Sequence, residues 1–203
     1  AIQIFSLISF VLMYYYAFQL DENTLLYIAG FGVITFLYAI PFLPKRLFLD
    51  KQHNLRSIGG LKIYLIALVW SGVTVFIPII NQQYNINTDV ILTGIQRYIF
   101  VIVLMLPFEI RDLQYDSLKL STIPQKIGVK ATKTMGVLLL VIFFFLEFFK
   151  NDMHSAGKLP LALIAIITLL FLLYSRTKQG HYYSSFWVEG LPVLWLIILL
   201  IFN

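Results

Sequence analysis

The 203-residue chain contains no cysteine. That excludes disulfide bridges, a thiolate nucleophile and zinc–thiolate sites, and leaves the redox compartment open. Charge is also scarce: Asp, Glu, Lys and Arg make up 12% of the residues against 60% hydrophobic, and mean hydropathy is +0.85. A soluble domain of this length needs far more polar surface. The three histidines, His53, His154 and His181, share no metal-ligand spacing. No G-x-x-x-x-G-K-[ST], G-x-S-x-G or H-E-x-x-H occurs, so three common nucleotide-binding and hydrolytic signatures are missing. There is no long linker, low-complexity tract or short-period repeat. The net charge of +5 is modest and sits largely on one side of the chain's alternating connections. It reads as membrane topology and not as nucleic-acid binding.

What the chain does have is apolar runs. Seven can be marked, at 1–20, 25–43, 61–80, 88–107, 133–149, 158–175 and 183–202. Each approaches the roughly 20 residues that carry a helix across a bilayer, and helices are the default there because lipid offers the backbone no partners. The expectation is an all-α integral membrane protein, a single domain over 1–203 with about seven membrane helices. The first run starts at Ala1 with no basic flank, so it does not read as a signal peptide. The sequence is expected to begin part-way through a longer protein.

Basic residues set the expected orientation. The second connection carries Lys45, Arg46, Lys51, Arg56 and Lys62; the fourth carries Arg111, Lys119, Lys126, Lys130 and Lys133; the sixth carries Arg176 and Lys178. The opposite connections hold only Lys150 and Lys158. By the positive-inside rule the fourth connection faces the cytoplasm and the C-terminus lies outside, with a bacterial cell membrane as the expected setting. Arg97 stands within the fourth run, where a lone charge costs about 2.5–3.5 kcal/mol or more. It should face the bundle interior, with Glu147 and Glu189 as possible ion-pair partners. Ser71 and Gly72 in the third run suit close helix packing better than chemistry.

The longest polar segment is Pro107 to Lys133, P-F-E-I-R-D-L-Q-Y-D-S-L-K-L-S-T-I-P-Q-K-I-G-V-K-A-T-K. Asp112 and Asp116 are four apart, and Glu109 lies three before Asp112, so a helix would put all three on one stripe. Three like charges there call for a cation. With no histidine or cysteine nearby the donors are all oxygen, which suits Mg²⁺, above all when phosphate completes the shell. Lys119, Lys126, Lys130 and Lys133 follow as possible phosphate contacts. The competing reading is a solvated, charge-balanced loop. Further along, Thr122-x-x-Gln125 has capping-box spacing with Pro124 in the first turn, and Gly128 permits a break before the next apolar run.

The ordered string R-D-x-x-x-D, T-I-P, then G resembles the second aspartate-rich motif of the UbiA-type intramembrane prenyltransferases. The resemblance extends over essentially the whole chain as a helix pattern, with three helices after the motif loop. It implies a UbiA-type bundle around a central cavity, in which Asp112 and Asp116 act as the catalytic pair and hold Mg²⁺ against an isoprenoid diphosphate, with Glu109 beside them. Lys45, Arg46, Arg111, Lys119 and Lys126 are the implied diphosphate contacts; Arg suits phosphate through its two-pronged fork. The implied activity is transfer of a prenyl group to a lipophilic aromatic or quinone-precursor acceptor in the bilayer. Many members carry a glycine between the second aspartate and the threonine, and this chain does not. Tyr38 lies seven residues before Lys45, where the family's tyrosine lies four before. The family's first motif, N-D-x-x-D-x-x-x-D, and its first two helices have no counterpart here. Two alternatives follow: a non-catalytic relative that kept the fold, and a seven-helix transporter or receptor. The last apolar run has no lysine for a Schiff base, and no inverted repeat is evident.

Overall fold

Asn87 opens the central helix. Its side-chain oxygen accepts from the Val90 amide at 2.9 Å, which satisfies one first-turn donor, and Asp89 adds a negative charge at the positive helix end. The computed structural model describes residues 2–39, 60–115, 122–151 and 155–202. In chain order its helices are α1 (Ile2–Ala17), α2 (Glu22–Ala39), α3 (Leu61–Asn81), α4 (Thr88–Asp112), α5 (Ile123–Phe145), α6 (Ser155–Tyr174) and α7 (Tyr183–Phe202). Among the described residues there is no strand.

Four of these helices are long and apolar enough to cross a membrane: α3, α4, α5 with its 3₁₀ extension Leu146–Phe149, and α7. Gln3–Ala17 and Lys158–Tyr174 are shorter apolar segments. Against the expected seven or so, four helices among the described residues are long and apolar enough to cross. In α3 a π-helical turn, Gly72–Phe76, precedes Pro78, and the Ile77 amide donates to Gly72 O five residues back. Pro78 has no N–H to donate, so the slipped register falls where the ordinary ladder is already broken.

α4 is the hub. Over half of its apolar window (56%) is buried, against 22–28% for the other three spanning helices. Its Phe100 stacks on Phe143 of α5 with centroids 5.5 Å apart and meets Trp195 of α7 edge-on at 4.9 Å. Gly136 lets α5 approach closely: a Cβ there would stand 2.8 Å from Leu106 Cδ1 of α4 and would also crowd Leu172 of α6. Ser71 of α3 donates to Gly94 O of α4 at 2.6 Å, as expected of a small residue at a helix contact.

The helices alternate in direction, and contacts show which ends gather. At one end Lys62 of α3 meets Asp112 of α4, Gln114 bonds Thr177 O, and Lys133 donates to Leu173 O. At the other, Gln83 donates to Asp21 at 3.0 Å and the Asn151 amide to Asp89 at 3.1 Å. The start of α3, the end of α4, the first turns of α5 and the connection after α6 thus share one end. Among the described residues that end holds Lys62, Arg111, Lys126, Lys130, Lys133, Arg176 and Lys178.

The start of α5 is built as its sequence suggests. Thr122 is the N-cap of a capping box with Gln125, whose side-chain oxygen accepts from the Thr122 amide at 3.0 Å. Gly128 then sits at φ 80°, ψ 160° and breaks the helix. That region is essentially restricted to glycine. A Cβ at Gly128 would meet nothing within 4 Å, so backbone strain alone constrains the position. Gly128→Ala should lower stability by about 1–3 kcal/mol. Gly180→Ala has equal space and no positive φ, and should be near neutral. Equal unfolding midpoints for the two variants in bicelles would show that the bend carries no strain.

Candidate functional site

The last turn of α4 builds the site. Glu109 and Asp112 are three apart, so both face the N-terminal turn of α3, where Lys62 stands. Lys62 Nζ lies 3.9 Å from Glu109 Oε1 and 3.8 Å from Asp112 Oδ2. Asp112 Oδ1 accepts from Arg111 Nη2 at 2.8 Å and Nε at 2.9 Å. Asp112 is therefore held between two cations, one on each oxygen. The Glu109 side chain is 2% exposed and that of Asp112 is 20% exposed, so only Asp112 opens toward solvent.

Asp112 opens onto a polar cavity of about 470 Å³. Arg111, Asp112, Gln114 and Tyr115 line one side; Thr177 to His181, with Ser185, line the other. The far wall is fastened to α4. Gln114 donates to Thr177 O, and Gln179 donates to Pro107 O at 3.2 Å and to Ser184 Oγ. Below the wall, the C-terminal carbonyls of α6 are capped by side chains. Lys133 donates to Leu173 O, Ser175 to Leu172 O, and Tyr183 to Phe171 O, at 2.6–2.7 Å.

Of the residues singled out from the sequence, Glu109, Arg111 and Asp112 come together here. Lys126 is exposed in the first turn of α5 and does not line the cavity. Asp116, Lys119, Lys45 and Arg46 lie outside the described residues. Among the described residues no three histidines or carboxylates gather as a metal site. Two carboxylates do converge on one ammonium, an all-oxygen donor pair suited to a hard cation such as Mg²⁺. Lys62, Lys178, Gln179 and His181 were not singled out for this site.

Arg97 departs from expectation. It faces the bundle interior, but its guanidinium lies over the Trp195 ring, 4.1 Å from the centroid. Among the described residues no carboxylate lies within ion-pair distance of it. Glu147 is instead bound by Lys150 at 2.8 Å and Gln96 at 3.1 Å, and Glu189 is exposed.

No protein-family model matches this chain, no curated protein matches it, and no solved structure matches it.

Proposed function

We propose that this chain takes part in Mg²⁺-dependent transfer of a prenyl group from an isoprenoid diphosphate to an aromatic or quinone-precursor acceptor within the membrane, as a UbiA-type bundle. The observation that carries the reading is Asp112, held between Arg111 and Lys62 at the mouth of a polar cavity on an otherwise apolar bundle. The motif's own order supports it, since the cap at Thr122 and the bend at Gly128 are both formed. In this reading Asp112, with Asp116, holds the metal, and buried Glu109 keeps Lys62 in place. Arg111 turns toward the diphosphate, and the apolar interior keeps water from the reacting carbon. Bound Mg²⁺ supplies neutralisation of the charge on the leaving diphosphate.

A second reading has one observation in its favour. The Lys62 ammonium stands between the two carboxylates, which is what a non-catalytic relative with an internal cation would show. Turnover separates the two. The full-length protein in nanodiscs is given geranyl or longer diphosphates, Mg²⁺ and a panel of aromatic and quinone-precursor acceptors. Prenylated product that disappears with EDTA supports transfer; none across the panel supports the non-catalytic relative.

The reading also sets an orientation, with the Asp112 end in the cytoplasm and the C-terminus outside. The absence of native cysteine gives labelling a clean background. Cysteines at exposed Arg176 and Tyr84 should react with an impermeant maleimide from opposite faces of intact cells, Tyr84→Cys alone from outside. Labelling of both from outside would overturn the topology.

A further inference from the structure

We propose that the connection between α6 and α7 forms the second wall of a diphosphate-binding pocket, with Lys178 and His181 as its phosphate contacts. The identity of the anion as diphosphate rests on the prenyl-transfer reading; the pocket itself does not. Its volume of about 470 Å³ falls within the usual range of small-ligand sites. The wall is fixed rather than draped. Gln114 holds Thr177, Gln179 holds Pro107 O and Ser184, and Ser175 and Tyr183 anchor the two ends of the connection on α6.

Charge decides what the cavity takes. Among the described lining residues the one carboxylate, Asp112, is already balanced by Arg111 and Lys62. Lys178 also lines the cavity and has no ion-pair partner among the described residues. Beside it, His181 also lines the cavity, its ring 4.9 Å from that of Tyr182. Lys178 and His181 thus add donors to a cavity whose described lining holds no unpaired acid, an arrangement that selects an anion able to accept several hydrogen bonds. Phosphate oxygens fit that chemistry. Two sources offer them at a membrane surface: the diphosphate of a soluble or prenyl donor, and the headgroup of an anionic lipid.

The test uses the full chain in phosphatidylcholine nanodiscs, with inorganic pyrophosphate and geranyl diphosphate titrated calorimetrically, with and without Mg²⁺. Lys178→Ala should weaken pyrophosphate binding by about tenfold, with His181→Ala smaller and Lys178→Arg close to wild type. The melting temperature should not move, because Lys178 is exposed. Unchanged affinity in the Lys178→Ala/His181→Ala double variant, or no pyrophosphate binding by wild type, overturns the proposal. Repeating the titration in phosphatidylglycerol nanodiscs separates the sources. Affinity that falls with phosphatidylglycerol content, and no longer does so in Lys178→Ala, assigns the pocket to a lipid headgroup and overturns the diphosphate assignment. If wild type binds pyrophosphate through Lys178 but transfers no prenyl group, the pocket stands and the enzymatic reading fails. If transfer occurs and Lys178→Ala keeps the wild-type KM for donor, the enzymatic reading stands and the pocket fails.

Discussion

Asp112→Ala is expected to reduce Mg²⁺-dependent prenyl transfer by about a hundred- to a thousandfold, the usual cost of removing one group that stabilises developing charge, while the bundle stays folded. The second half of that statement comes from burial. Asp112 and Arg111 are 20% and 31% exposed, so the unpaired guanidinium can hydrate when its partner is lost. Lys62 retains Glu109. Glu109→Ala should behave oppositely. That carboxylate is 2% exposed, so its truncation empties space packed inside the bundle, and stability falls first. Product formation by mass spectrometry, read beside a thermal melt for each variant, separates the two roles. Full turnover in Asp112→Ala would remove the residue from the reaction.

The parts of this site that could be read from the sequence are those made by neighbours in the chain. The i, i+3 relation of Glu109 and Asp112 already implies a shared face, and the Thr122 cap and Gly128 bend follow from local backbone chemistry. The rest depends on which helix ends meet. Lys62 precedes Asp112 by fifty positions, and Thr177 follows Gln114 by 63. Composition ranks such residues only as topology markers. Lys62 reads as part of a basic connection, although it heads an apolar run, where an ammonium needs a partner. His181 lacks metal-ligand spacing, a criterion that does not apply to phosphate. A charge pattern offers Arg97 only carboxylates as partners, whereas its guanidinium lies over the Trp195 ring. The ring that receives it lies 98 residues away on α7, and aromatic residues are too common in this chain to mark one as special.

That contact leads to the largest expected loss of stability. Trp195 is 8% exposed and touches Phe100 at 4.9 Å and Phe143 at 5.7 Å, so Trp195→Ala opens a cavity where α4, α5 and α7 meet. Truncations of this kind cost about 3–5 kcal/mol. The same change strips the ring from beneath the Arg97 guanidinium, whose Nε has no hydrogen-bond partner among the described residues. A charge within a membrane helix is then left without its compensating π face. The two positions should therefore couple. Arg97→Met removes both the cation–π contact and the cost of the buried charge, so alone it should change stability little. In the Trp195→Ala background it should restore about 1–2 kcal/mol, because there only the cost remains to be removed. Unfolding of the four proteins in bicelles, by steric trapping or SDS titration, completes the cycle. If the two changes simply add, the 4.1 Å contact contributes nothing, and Arg97 must be tolerated by some other route, such as water reaching it from the α4 N-terminal end.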